Sequence, residues 1–172
     1  MGALRTAFTI LWVTAMLKGL VCTTIKVDPE WVDYNGHMNL AYYVLAFDKA
    51  TDDFYDALGI GFDYRAVENT SMFTLGINVD YQREVFAGDT LKITTQLLDV
   101  DTKRMRYIHA MYEGDDKPAV AFNECLAIHV NMASRKSDAF PKKTQARVNA
   151  ALAAHKALPL PVNAGRVLGQ KL

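Results

Sequence analysis

The spacing of apolar residues changes from period two to a helical period and back again along the chain. Thr24-Ile25-Lys26-Val27 alternates and is rich in β-branched residues, which predicts a short strand ended by Asp28-Pro29. After a polar, turn-prone stretch, Leu40, Tyr43, Val44, Phe47, Thr51, Phe54, Tyr55 and Leu58 fall on one face of a helix. Asp48, Asp52, Asp53 and Asp56 lie mostly off that stripe. Asn39 is placed to cap the helix, and Gly59 and Gly61 to end it. The stripe is wide, so this helix should be covered over most of its circumference.

Four long alternating runs follow, Ser71 to Glu84, Asp89 to Asp99, Lys103 to Glu113 and Pro118 to Met132. Ile77, Val79 and Tyr81 oppose Asn78, Asp80 and Gln82, while Leu91, Ile93 and Leu97 oppose Lys92, Thr94 and Gln96. Turn residues at Ala87-Gly88-Asp89, Asp99 to Lys103 and Gly114 to Lys117 imply that neighbouring strands pair antiparallel. An alanine-rich helix is expected over Thr144 to Lys156, before a tail containing Pro and Gly. One strand, one long helix and four strands make an α+β domain, in which a curved sheet must wrap the helix. Residues 23–140 are expected to form that domain and residues 141–172 a C-terminal helix and tail.

In the last run, Val120, Phe122, Leu126, Ile128 and Val130 read as one apolar face, with Glu124 among them. A carboxylate on such a face needs a partner such as His109, Arg104 or Arg106, or else it belongs to a pocket wall.

Composition narrows the function. With 19 basic and 19 acidic side chains in 172 residues, charge is balanced, which argues against a nucleic-acid binder or a polybasic membrane protein. Cys22 and Cys125 are the only cysteines and lack zinc or disulfide spacing, so no metal is expected and a reducing, cytoplasmic compartment fits. Residues 1–22 carry a basic residue and an apolar run from Thr6 to Leu17, broken by Lys18. Three readings stay open: an extra helix, an over-long start, or an export signal with a poor cleavage site. The run is too short for a convincing membrane anchor.

Chemistry concentrates in Asp33-Tyr34-Asn35-Gly36-His37-Met38-Asn39, where the first loop meets the helix. A helix start offers unpaired amides and favours negative charge, which suits the oxyanion of an acyl transfer. Gly36 lets backbone approach a ligand, and a carboxylate, a carboxamide and an imidazole lie close together. Singly, Asp33 and Asn35 read as turn formers, His37 as a satisfied imidazole and Asn39 as a cap; together they read as an active site. Lys92, Lys103, Arg104, Arg106, Arg135 and Lys136 are candidate phosphate contacts, though solvated strand faces look the same.

The stretch, with Tyr42 or Tyr43 after it, resembles the Asp-x-x-Gly-His-x-Asn-x-x-x-Tyr signature of 4-hydroxybenzoyl-CoA thioesterase-like proteins. The resemblance runs from about Thr23 to Met132 and implies the hotdog fold, a homodimer or dimer of dimers built through sheet edges, and hydrolysis of an acyl-CoA without a cofactor. It implies that Asp33 is base or nucleophile and that Asn35 and His37 orient thioester and water. Amides near Gly36, Met38 and Asn39 would hold the oxyanion. Pro29 to His37, Ser71 to Leu75 and Ala127 to Val130 are similar to the betainyl-CoA thioesterases of carnitine degradation. Betaine is a quaternary ammonium, and Trp31, Tyr34, Tyr43, Phe47 and Phe73 are the aromatics that would enclose it in an acyl pocket. Gly76 stands where those relatives carry an acid. Two rivals remain, a non-catalytic acyl-CoA-binding protein and an enoyl-CoA hydratase; the latter's Asp-x-Asn-Pro-x-His pattern is one residue longer than the one here.

Overall fold

The computed structural model describes residues 20–115 and 117–168. Nearly all of the N-terminal extension expected at residues 1–22 lies outside the described residues. The elements run β1 (Val21–Lys26), a 3₁₀ turn (Pro29–Trp31), α1 (Leu40–Ala57), α2 (Phe62–Glu68), β2 (Thr70–Tyr81), β3 (Thr90–Val100), β4 (Arg104–Glu113), β5 (Ala121–Asn131), β6 (Lys136–Ser137) and α3 (Lys142–Lys156). The periodic segments therefore form where their patterns place them. The short α2 carries no buried residue and so no amphipathic stripe that would announce it.

The sheet is antiparallel, ordered β1-β3-β4-β5-β2, with β6 beside β5. This corrects the expectation that β2 and β3 form a hairpin. After β2, the chain turns at Phe86–Asp89 and pairs with Val27 instead: Val27 N–H donates to Asp89 O at 2.9 Å and Gly88 N–H to Val27 O at 2.9 Å. Those bonds deliver β3 to the side of β1, while β2 stays on the far edge against β5. Most connections join spatial neighbours, but backbone pairing elsewhere decides the exceptions.

α1 lies across the concave face. Ala46, Phe47, Ala50 and Phe54 are fully buried there with Leu91, Ile93, Leu97, Met105, Tyr107 and Met111. Burial of one such aromatic stabilises the fold by about 1.5–3 kcal/mol. Registers Tyr107↔Cys125, His109↔Asn123 and Met111↔Ala121 put Ala121, Asn123 and Cys125 on the same concave face. Phe122, Leu126 and Ile128 of the apolar face therefore point to the convex side, whereas Val120, just before β5, packs in the core with Val85 and Met111. Small residues face the bulky helix, and Phe122 instead packs outside with Leu98, Ile108 and Ala164. Glu124 lies on that convex side, its Oε1 accepting from Arg106 Nη1 at 2.8 Å and its Oε2 from Gly165 N–H at 2.5 Å.

At the centre of the concave face His109 is completely buried, stacked on Phe47. Its Nε2 is 3.0 Å from Thr51 Oγ1, and its Nδ1 is 2.8 Å from Thr95 Oγ1. The Thr51 hydroxyl donates to Phe47 O at 3.1 Å, so it accepts from Nε2–H, and Thr95 must donate to Nδ1. Burial lowers the His109 pKa to about 3 and keeps the ring neutral.

Replacing His109 by Ala should cost about 2–5 kcal/mol, from a cavity and two hydroxyls losing their partner, measured by chemical denaturation. The folded pKa lies below the unfolded one, so the unfolded chain gains a proton first as pH falls below about 6.5. Stability should therefore drop between about pH 6.5 and pH 5, by up to about 2 kcal/mol, and the slope should be shallower in His109→Gln.

Candidate active site

Residues 32–38 form a tight hairpin immediately before α1. Asp33 N–H donates to His37 O at 3.1 Å, Gly36 N–H to Asp33 O at 3.0 Å and Asn39 N–H to Trp31 O at 2.9 Å. Gly36 has φ +83°, the left-handed region that glycine adopts without a Cβ penalty. Met38, almost fully buried, donates its N–H to Val85 O at 2.9 Å and so fastens the hairpin to the β2–β3 crossing.

Two side chains complete the turn. Asp33 Oδ1 accepts the Asn35 N–H at 2.8 Å, and Oδ2 accepts from Asn39 Nδ2 at 3.2 Å. Asn39 Oδ1 in turn accepts the Ala41 N–H at 3.0 Å, as a helix N-cap does. One carboxamide therefore caps the helix and steadies the carboxylate. The Asn35 amide bond, more than any other interaction, holds the Asp33 carboxyl below the usual carboxylate range, and Asn39 and His37 act in the same direction.

His37 packs beside this turn. Its Nδ1 lies 3.3 Å from Met38 O and its Nε2 3.6 Å from Glu84 Oε1, an ion pair whenever the ring carries both protons. A cavity of about 260 Å³ opens there between His37, Leu40, Tyr43, Tyr81, Arg83 and Glu84. Tyr43 and Tyr81 meet edge to face at 5.2 Å on its wall. Their hydroxyls donate to Arg83 O at 3.2 Å and Leu40 O at 3.3 Å.

Of the predicted residues His37 lines this cavity, while Asp33 and Asn39 hold each other in the adjoining turn, and Asn35 contributes its backbone amide while its residue is exposed. The amides of Gly36, Met38 and Asn39 are all donated to backbone carbonyls, which corrects their expected role as oxyanion donors. The free direction belongs to Leu40, the first amide of α1, which has no intrahelical acceptor.

The aromatic enclosure expected from the sequence is not assembled within the chain. Tyr34 is 96% exposed and Phe47 is closed in against His109. Trp31 stacks on Tyr42 with Lys49 over its ring, and Phe73 lies under Arg135. Only Tyr43 of the five lines the cavity, joined by Tyr81. Glu84 and Tyr81 carry no local signal for the site because they lie over 40 residues from the motif, and only the strand crossing brings them there.

A second cavity of about 420 Å³ lies further along α1, walled by Asp48, Asp52 and Asp56 with Tyr55 and Met72. Burial and the neighbouring carboxylates raise the pKa of Asp52. Asn123, 97% buried on the concave face of β5, leaves its Oδ1 without a hydrogen-bond partner, and no pattern in the residues around it signals this. A side chain added at Gly76 would meet open space. Among the described residues no helix is long and apolar enough to cross a membrane.

A long helix wrapped by a curved antiparallel sheet, with a carboxylate turn at the helix start, is the hotdog arrangement of thioesterases. The chain belongs to the Thioesterase-like superfamily, which it matches over residues 27–148. It is 40% identical over 151 residues to a betainyl-CoA thioesterase of Pseudomonas aeruginosa, covering 87% of this chain and 95% of that one. An L-carnitine dehydrogenase/betainyl-CoA thioesterase of a Rhizobium species is 32% identical over 155 residues, which span 90% of this chain but 31% of that longer protein. Among solved structures, a Staphylococcus aureus protein in complex with CoA superposes with a TM-score of 0.80 at 26% identity, covering 88% of this chain and 96% of that one.

Replacing Asn39 by Ala should remove the cap and the carboxylate clamp together. The expected results are a loss of about 1 kcal/mol in stability by denaturant titration and an Asp33 pKa moved upward in a carboxyl NMR titration.

Proposed function

We propose that this acyl-CoA thioesterase cleaves its substrate at the start of α1, with Asp33 as the essential carboxylate. The observation that carries the reading is an ionised, solvent-reachable carboxylate, locked by Asn35 and Asn39, in the same turn as His37, which with Leu40 lines a cavity at the helix N-terminus. The thioester carbonyl lies towards the Leu40 amide, where the helix dipole favours the developing oxyanion.

Acting as base, Asp33 takes a proton from water as the water oxygen bonds to the carbonyl carbon. Collapse of the tetrahedral anion breaks the C–S bond, and the proton passes to the leaving thiolate, giving a carboxylic acid and CoA. Acting as nucleophile, Asp33 would form a mixed anhydride that water then opens. A low carboxylate pKa makes a weak base, and the acyl group itself offsets this. By covering Asp33 it removes solvent and raises the basicity of the carboxylate within the complex. His37 lies where it orients the thioester or the water.

The acyl group is small and of the betaine type in this reading, because the relatives named for betainyl-CoA include one aligned over nearly its whole length. An aromatic cage does not support it, but the acidic wall of α1 does. Asp48 lies nine residues beyond Asn39, about 13 Å along the helix, so its carboxylate attracts a cation through the field of the cleft rather than by touching an ammonium one methylene from the thioester.

The second copy of the chain belongs at β2. Phe73, Leu75 and Ile77 are exposed on this edge strand, with a bulge between Thr74 and Gly76. An apolar open edge of this length is covered in native proteins, and edge-to-edge pairing of two copies covers it.

Asp33→Asn should fold normally and lose thiol release from betainyl-CoA or short-chain acyl-CoAs by about 100-fold or more, followed with a thiol reagent. Full activity in this variant, or ligand binding without turnover in the wild type, would favour the acyl-CoA-binding alternative. Ile77→Lys should shift the protein from dimer to monomer in sedimentation; an unchanged wild-type monomer would remove β2 as an interface.

A further inference from the structure

We infer that the nucleotide end of CoA seats in a second cavity, between the convex face of the sheet and the C-terminal tail, with Arg83 at the passage leading to it. The inference rests on the acyl-CoA reading above. The cavity measures about 870 Å³ and is walled by Gln82, Arg83 and Phe122 on one side and Val162, Gly165 and Arg166 on the other. Gln82 and Arg83 also line the smaller cavity at His37, so the two spaces meet at those residues. A ligand reacting beside Asp33 and extending away from it can reach the larger space by crossing Arg83. CoA has that shape: a thioester at one end, a long amide arm, and a phosphorylated nucleotide at the other end.

The tail wall is fixed in place. Asn163 Nδ2 donates to Asp80 Oδ2 at 2.9 Å, Gly165 N–H to Glu124 Oε2 at 2.5 Å, and Asn78 Nδ2 to Arg166 O at 2.7 Å. Arg166 also pairs with Asp80. These bonds answer Asp80 and Glu124, since Arg106 takes the other oxygen of Glu124. What remains uncompensated is positive. Arg83 donates to the Pro118 carbonyl, and among the described residues no carboxylate pairs with it. Arg166 is paired with Asp80 through Nη1, but its Nε–H is buried without an acceptor. A guanidinium free of carboxylates suits a phosphate, and the apolar surface of Phe122 and the 85% exposed Val162 suits a purine ring.

The test compares one acyl group carried by CoA and by N-acetylcysteamine, which lacks the nucleotide, alongside calorimetric binding of CoA itself. In Arg83→Gln and in Val162→Glu, CoA binding should weaken, and the ratio of kcat/KM on the CoA thioester to that on the short thioester should fall, by about tenfold in each. Val162 is exposed, so its variant is safe for folding. An unchanged ratio and unchanged CoA affinity in both variants would overturn the inference. Hydrolysis of neither thioester by the wild type would overturn the thioesterase reading, while CoA affinity would still report on the cavity.

Discussion

The carboxamide of Asn39 is the point on which the local architecture depends. Its oxygen caps α1 through Ala41, and its nitrogen holds Asp33 Oδ2. The neighbouring Met38 amide binds Val85, so the same three residues also fix where β2 crosses over to β3. Helix start, the Asp33 carboxylate and strand crossing are thus one assembly. A shift in any of them moves the others, which explains why Glu84 and Tyr81 arrive beside His37 although nothing in their local sequence directs them there.

The two buried or half-buried polar centres are tuned in opposite ways. His109 is neutral because burial penalises its charge and two threonines satisfy both ring nitrogens. Asp33 is charged because it stays at the surface and accepts two N–H donors. The first arrangement stabilises the fold around α1. The second keeps an anion in the turn that leads into α1.

Much of this was legible in the residue pattern. The stripe from Leu40 to Leu58 located the central helix and its cap, though Leu40 itself is exposed and the buried Ala46 and Ala50 lie outside the stripe, and period-two runs located β2 to β5. The turn and cap built by Asp33 to Asn39 were readable because these residues interact over short sequence distances. Long-range pairing was not readable. Strand order depended on bonds between Val27 and the Phe86–Asp89 turn. Which face of β5 turns inward was not readable either, because both faces carry apolar residues; the small ones, Ala121, Cys125 and Ala127, lie inside with Phe47 and Phe54. The cavity closed by Val162 to Arg166 was invisible for the same reason: tail and sheet are separated by more than 30 residues.

If the depressed carboxylate of Asp33 carries the reaction, rather than an imidazole, its ionisation must govern the rate. The pH dependence of kcat/KM, which reports ionisations of the free enzyme, addresses this most directly. The rate should stay flat on the acid side down to about pH 5, since the carboxylate is lost only as pH falls through its lowered pKa. The acid limb of kcat should lie higher, because bound substrate desolvates Asp33. An acid limb of kcat/KM centred near pH 6.5, about the ordinary range of histidine, would contradict a carboxylate-centred reaction and move the essential ionisation to an imidazole.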